Sequence, residues 1–170
     1  MLNSKVRDLI NDQINKELHS AYIYLDFANY YYDHGLDGFA NYFDVQAQEE
    51  RDHAMLMRTY LHNNGDTVTF EKIEKPDYKY DTPMDPLKYA LKHEEYVTSL
   101  INKIYKAADE ISDYRTMQCF DWFIKEQGEE EKSAQDLVRK YELFGSDAKG
   151  LYALNQELAG RVYTAPSLVL

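Results

Sequence analysis

Four long stretches of this chain repeat apolar residues every third or fourth position, and each stripe is broken near its middle by a polar side chain. Spacing of that kind describes amphipathic helices. From Ser4 to Asp33 the stripe is Val6, Ile10, Gln13/Ile14, Glu17, Ala21, Tyr24, Ala28. From Asp37 to about Asn63 it is Phe39, Phe43, Ala47, Glu50, Ala54, Met57, Leu61, with His53 three residues after Glu50. From Pro86 to about Ile111 it is Leu87, Ala90/Leu91, Glu94, Val97, Ile101, Ile104/Tyr105, Ala108. From about Asp113 to Phe144 it is Thr116, Phe120, Phe123, Gln127, Glu130, Ala134, Leu137, Tyr141. A shorter segment, Gly150 to Leu158, carries Leu151, Leu154 and Leu158 on one side. The tail beyond Gly160 shows no pattern.

The breaks between stripes suggest how the helices connect. Ser4 and Asp85 read as N-caps, with Pro86 at the first helical position. Gly35, Gly65 and Gly145 mark ends. The first two helices are joined by only a few residues and should lie antiparallel, as should the third and fourth. Between Gly65 and Asp85, Asp66, Pro76, Asp77, Asp81 and Pro83 rule out a helix. About twenty extended residues span roughly 65 Å, more than the roughly 40 Å of a 27-residue helix, so this segment is long enough to climb the whole bundle. The alternative, a flexible boundary between two domains, would leave each half without a partner for its apolar face. With 170 residues and only 7 Gly and 4 Pro, the expectation is an all-α single domain over residues 1–170. The architecture expected is a four-helix bundle with one long crossover between helices two and three, plus a short fifth C-terminal helix.

The polar interruptions share a level. Glu17 lies about 17 residues before the first turn, and Glu50 and His53 about 14 to 17 after it; Glu94 and the pair Gln127 and Glu130 repeat those separations about the second turn. At about 1.5 Å per residue, every group is roughly 21–26 Å from its turn. No Lys or Arg stands in the surrounding stripe positions. Buried carboxylates without a cation repel one another and lose hydration. Protonation, rotation of a helix toward solvent, or a bridging metal would each relieve the conflict. Several oxygens with one imidazole suit iron or manganese and accept zinc, and one His for four carboxylates leaves room for two ions about 3.5–4 Å apart.

Charge and cysteine content narrow the classes further. A net charge of −11 disfavours nucleic acid and anionic membrane as partners. Cys119 is the only cysteine, which rules out a Cys-rich metal site or an internal disulfide. No apolar run is long enough to span a bilayer, and the start lacks the apolar core of a signal segment, so a cytoplasmic location is expected.

The sequence Glu17, Glu50-x-x-His53, Glu94, Gln127-x-x-Glu130 resembles ferritins, most closely the bacterial non-haem ferritins. The likeness extends over the whole chain, including Trp122, the acidic run Glu126 to Glu131 and Gly150-Leu151-Tyr152. The fourth helix departs from the Glu-x-x-His of other ferritin-like di-iron proteins, and Asp52 replaces the haem-ligating Met of bacterioferritins, so no haem is expected. The resemblance implies a ferroxidase that stores ferric mineral in a hollow shell of 24 chains, with Fe(II) and dioxygen or hydrogen peroxide as reactants. It implies Glu17, Glu50 and His53 at a first iron, and Glu50, Glu94 and Glu130 at a second. Gln127 would orient dioxygen or water, and Tyr24 would supply an electron; core packing is the alternative for Tyr24, one of 16 tyrosines. Glu49, Glu126 and Glu129, with Glu130 shared, would form a third iron site; a solvated acidic face is the alternative. Rival readings of the whole chain are a rubrerythrin-like di-iron redox enzyme and a non-catalytic metal-binding bundle.

Overall fold

A computed structural model describes all residues, Met1–Leu170. The chain is all-helical, with five helices: α1 Ser4–Asp33, α2 Asp37–Asn63, α3 Asp85–Asp109, α4 Tyr114–Phe144 and α5 Ala148–Ala159. α1 pairs with α2 and α3 with α4, while α5 packs against α2 and α4. This is the expected four-helix bundle with a long crossover and a short fifth helix.

Local chemistry sets the helix ends. Asn3, not Ser4, caps α1: its side-chain oxygen accepts from the Lys5 amide at 2.9 Å. Asp85 also differs from expectation, because it lies in the first turn of α3 and its carboxylate accepts from the Asp81 and Thr82 amides of the crossover. Asp113 caps α4 through the Thr116 amide. Gly35 and Gly65 take positive φ, 69° and 74°, which lets the chain turn back at the ends of α1 and α2. Nothing in the structure requires a glycine at Gly128, where an added Cβ would meet open space.

The crossover ascends α1. Near its start the Thr69 amide donates to the Asn11 side chain at 2.8 Å and the Glu71 amide to Asn15 at 2.7 Å. Farther along, Tyr78 and Tyr80 pack edge-on against Phe27, and the Tyr31 hydroxyl donates to the Pro83 carbonyl at 2.6 Å. The linker therefore meets polar and then aromatic partners on α1, and near its end Tyr78 and Tyr80 also pack against Tyr89 of α3.

Two apolar clusters divide the core. One gathers Val6, Ile10 and Ile14 with Ala54, Met57, Leu61, Val97, Ile101, Ile104, Phe120 and Phe123. The other gathers Ile23, Tyr24, Phe27, Ala28 and Tyr31 with Phe39, Phe43, Ala47, Leu87, Ala90, Leu137 and the α5 leucines Leu154 and Leu158. On every long helix the polar interruption falls between the two clusters.

α5 is held closely to the first turn. The Asn155 side chain accepts from the Gly38 amide at 2.8 Å, and a Cβ on Gly38 would lie 1.7 Å from the Asn155 carbonyl oxygen. Gly38→Ala is expected to displace α5 at a cost of about 1–3 kcal/mol. Hydrogen exchange checks this: amides of α5 lose protection while those of the main bundle keep theirs, and unchanged protection in α5 contradicts the close packing.

Candidate metal centre

The layer between the clusters contains Glu17, Glu50, His53, Glu94, Gln127 and Glu130, all buried. Each helix delivers its residue by the same means: a three- or four-residue step from a buried apolar neighbour such as Ile14, Ala54, Ala90 or Phe123. Glu17, Glu50 and His53 present ligand atoms that all lie within 4.8 Å of one another, as do His53, Glu126 and Glu130. His53 Nδ1 is 3.8 Å from Glu50 Oε2, and its ring meets Trp122 and Phe123 edge-on.

Amides and a phenol hold the carboxylates in place. Gln13 Nε2 donates to Glu17 Oε1 at 2.8 Å. Gln46 Nε2 donates to Glu50 Oε1 at 3.1 Å and to Glu130 Oε2 at 2.7 Å. Gln127 Nε2 donates to Glu94 Oε2 at 3.2 Å and to Thr98 Oγ1 at 3.3 Å. The Tyr24 hydroxyl donates to Glu94 Oε1, so this tyrosine touches the centre as well as packing in the core. Glu17 Oε2 is the only buried side-chain oxygen or nitrogen without a partner.

Electrostatics explain why such a layer is costly when it holds no metal. Burial, then the charge of Glu50, raises the Glu17 pKa well above the usual carboxylate range. Burial, then the charges of Glu94 and Glu130, does the same to Glu50. Burial is the first cause for Glu94, pushed up to about 7, and for Glu130, pushed up to about 8. No lysine or arginine neutralises the interior. An oxygen-rich set with one imidazole and an orphaned carboxylate oxygen at its centre fits a divalent cation.

The outer carboxylates are less gathered. Glu126 is half-buried and near His53 and Glu130. Glu129 is exposed and faces Lys125 at 3.8 Å. Glu49 is half-buried and accepts from Arg161 Nη2 at 2.6 Å. The tail, featureless in sequence, thus reaches the centre. Sequence reading also missed Gln46, although Gln13/Glu17 and Gln46/Glu50 are both Gln–Glu pairs at i, i+4, a spacing that places the two side chains together. His93 is a half-buried histidine 2.7 Å from Ser20 Oγ, with burial lowering its pKa to about 4.

The raised carboxyl pKa values give stability a definite pH dependence. An unfolded chain releases these protons near 4.5, whereas folded Glu94 and Glu130 hold them to about 7 and about 8. These groups therefore favour the folded state at low pH, and that contribution is lost as pH rises from the unfolded value through the folded one. In metal-free protein, Glu130→Gln is expected to gain apparent thermal midpoint over the parent, by roughly a few degrees, as pH rises from about 5 to about 8. A gap that stays constant or narrows over that range contradicts the assignment.

Comparisons with known proteins agree with the fold. Residues 7–144 match the ferritin-like domain. The bacterial non-heme ferritin of Campylobacter jejuni is 33% identical over 156 residues, 92% of this chain and 93% of the relative. A bacterial non-heme ferritin of Staphylococcus saprophyticus is 31% identical over 163 residues, 96% of this chain and 98% of the relative. An open-pore ferritin from the hyperthermophilic archaeon Archaeoglobus fulgidus superposes with a TM-score of 0.92 at 37% identity, over 95% of this chain and 100% of the other. Matched along nearly its full length by proteins of one kind, and built around a buried carboxylate–histidine layer, this chain belongs to the ferritin family.

Proposed function

We propose that this protein is an iron-storage ferritin: one ferritin-like domain, residues 1–170, that oxidises Fe(II) and stores the product as a ferric oxyhydroxide mineral inside a shell of 24 subunits. The observation that carries the reading is the buried meeting of Glu17, Glu50, His53, Glu94 and Glu130, with Glu17 Oε2 left without a partner. Iron is substrate and cargo here. Glu17, Glu50 and His53 take one ferrous ion; Glu50, Glu94 and Glu130 take the other, with Glu50 shared. Each ion gives up one electron, and the pair reduces dioxygen, or hydrogen peroxide, with protons from solvent. Ferric ions then hydrolyse water, release protons and pass toward the mineral.

The protein's own groups have separate tasks in this scheme. Carboxylates favour the harder ferric ion over the ferrous one and lose their protons as metal arrives. Gln127, already donating to Glu94, orients dioxygen or water beside the second ion. Tyr24, hydrogen-bonded to Glu94, stands where it can supply an electron. Glu49, Glu126 and Glu129, with Glu130, form a third iron site on the outer side of α2 and α4. Haem has no part in the scheme.

Two further observations fit assembly and setting. Tyr22, Leu25 and Tyr32 are exposed along α1, with Phe70 and Ile73 exposed on the crossover, an apolar surface suited to contact with other copies. No helix is long and apolar enough to cross a membrane, and a cytoplasmic location follows from the iron-storage role.

Glu50→Ala removes the shared carboxylate. It is expected to slow Fe(II) oxidation on the order of a hundredfold or more while the chain still folds and assembles. Stopped-flow absorbance of ferric formation, with assembly mass as the control, measures it; an unchanged rate contradicts the site.

A further inference from the structure

The segment after α5 runs back across the α2–α4 face of the bundle. Asn41 Nδ2 donates to the Leu158 and Arg161 carbonyls at 3.1 and 3.0 Å. Farther on, the Tyr163 hydroxyl donates to Asp52, and the Trp122 indole donates to Ser167 Oγ at 3.0 Å. Leu168 packs against the cluster that contains Met57 and Phe120. These anchors bring Arg161 to the edge of the carboxylate layer.

The guanidinium makes contacts in three directions there. Nη1 donates to Gln46 Oε1 at 2.9 Å and to the Tyr42 carbonyl at 3.0 Å. Nη2 donates to Glu49 Oε2 at 2.6 Å. Its carbon sits 4.2 Å from the centroid of the Tyr42 ring, a cation–π distance. Arginine can only donate. Gln46 must therefore turn its carbonyl toward Arg161 and its NH2 group inward, and that NH2 group meets Glu50 and Glu130. Arg161 is also the only basic side chain paired with Glu49, one of the outer carboxylates.

We propose that Arg161 is a positioning residue for the centre: through Gln46 it holds Glu50 and Glu130 for the second ion, and its charge takes the place at Glu49 that a third ion would need. The inference rests on the iron-binding reading above and deepens it. The C-terminal tail thereby becomes part of the metal centre. A third ion that displaces the guanidinium from Glu49 also frees Gln46, so filling the outer site loosens the hold on Glu130. The second and third ions are coupled through one side chain.

Titration calorimetry with Zn(II), which has no redox chemistry here, tests this on the assembled protein and on Arg161→Ala, Gln46→Ala and the double variant. Arg161→Ala is expected to weaken the second ion roughly tenfold, weaken the first less because Glu17 and His53 do not touch the relay, and tighten a third several-fold. The double variant should bind the second ion no more weakly than Gln46→Ala alone, because both changes break one relay. Arg161→Lys keeps the charge but has one nitrogen where the guanidinium uses two to reach Gln46 and Glu49, so it gives the same direction at smaller size should Arg161→Ala fail to assemble. Second-ion binding that is unchanged in Arg161→Ala, losses that multiply in the double variant, or a third ion bound no more tightly would each overturn the proposal. Absence of bound Zn(II) in the unsubstituted protein would instead overturn the metal centre itself, and Arg161's role with it.

Discussion

Burial of four carboxyl groups, which also repel one another, is the constraint around which this bundle is built. Glu17, Glu50, Glu94 and Glu130 meet in an interior with no lysine or arginine among them, and each is pushed toward its protonated form. Such a layer lowers the stability a core of this size would otherwise have. The two apolar clusters on either side supply the packing that tolerates it. Aromatic residues are concentrated in the cluster nearest the α1–α2 turn, where Tyr24, Phe43, Tyr31 and Phe39 stack in turn and Phe27 meets Tyr24 and Phe43 edge-on. The crossover adds Tyr78 and Tyr80 to the same cluster, so the long connection contributes to the core as well as reversing the chain.

Neutral donors are the protein's answer when no cation is present. Gln13, Gln46, Gln127 and Tyr24 each give a hydrogen bond to one of the acids. Amides suit this task, because they stabilise a carboxylate without competing for its charge as a lysine would. They leave lone pairs facing the centre, and in Glu17 one oxygen is left wholly free. Around a cation the same donors would orient the ligands from behind, the usual office of outer groups at a metal site. The arrangement favours exchange over permanence: ligands that accept protons readily can also release an ion.

Much of this was legible in the sequence because helices have a fixed rise. Similar offsets of Glu17, Glu50, Glu94 and Glu130 from their turns set them at one level, and the stripe of α2 from Phe43 to Leu61 is buried residue for residue. The helix ends were less legible. Ser4 and Asp85 are good capping residues in isolation, yet Asn3 caps α1 and Asp85 serves the crossover. Capping propensity ranks residue types but cannot choose between neighbours that both qualify. Arg161 was not legible at all. It sits in an aperiodic tail, and its contacts with Gln46 and Glu49 span more than a hundred residues. Periodicity carries no information about where such a segment docks.

In the proposed iron-storage role the buried acids hold ferrous ions and exchange protons for them. The most direct measurement adds Fe(II) without oxygen to metal-free protein near neutral pH and follows bound iron and released protons together. About two ferrous ions per chain should bind tightly before any oxidant is admitted, with protons set free as they do. Ferrous ions that fail to bind under these conditions, or that bind without releasing protons, would contradict it.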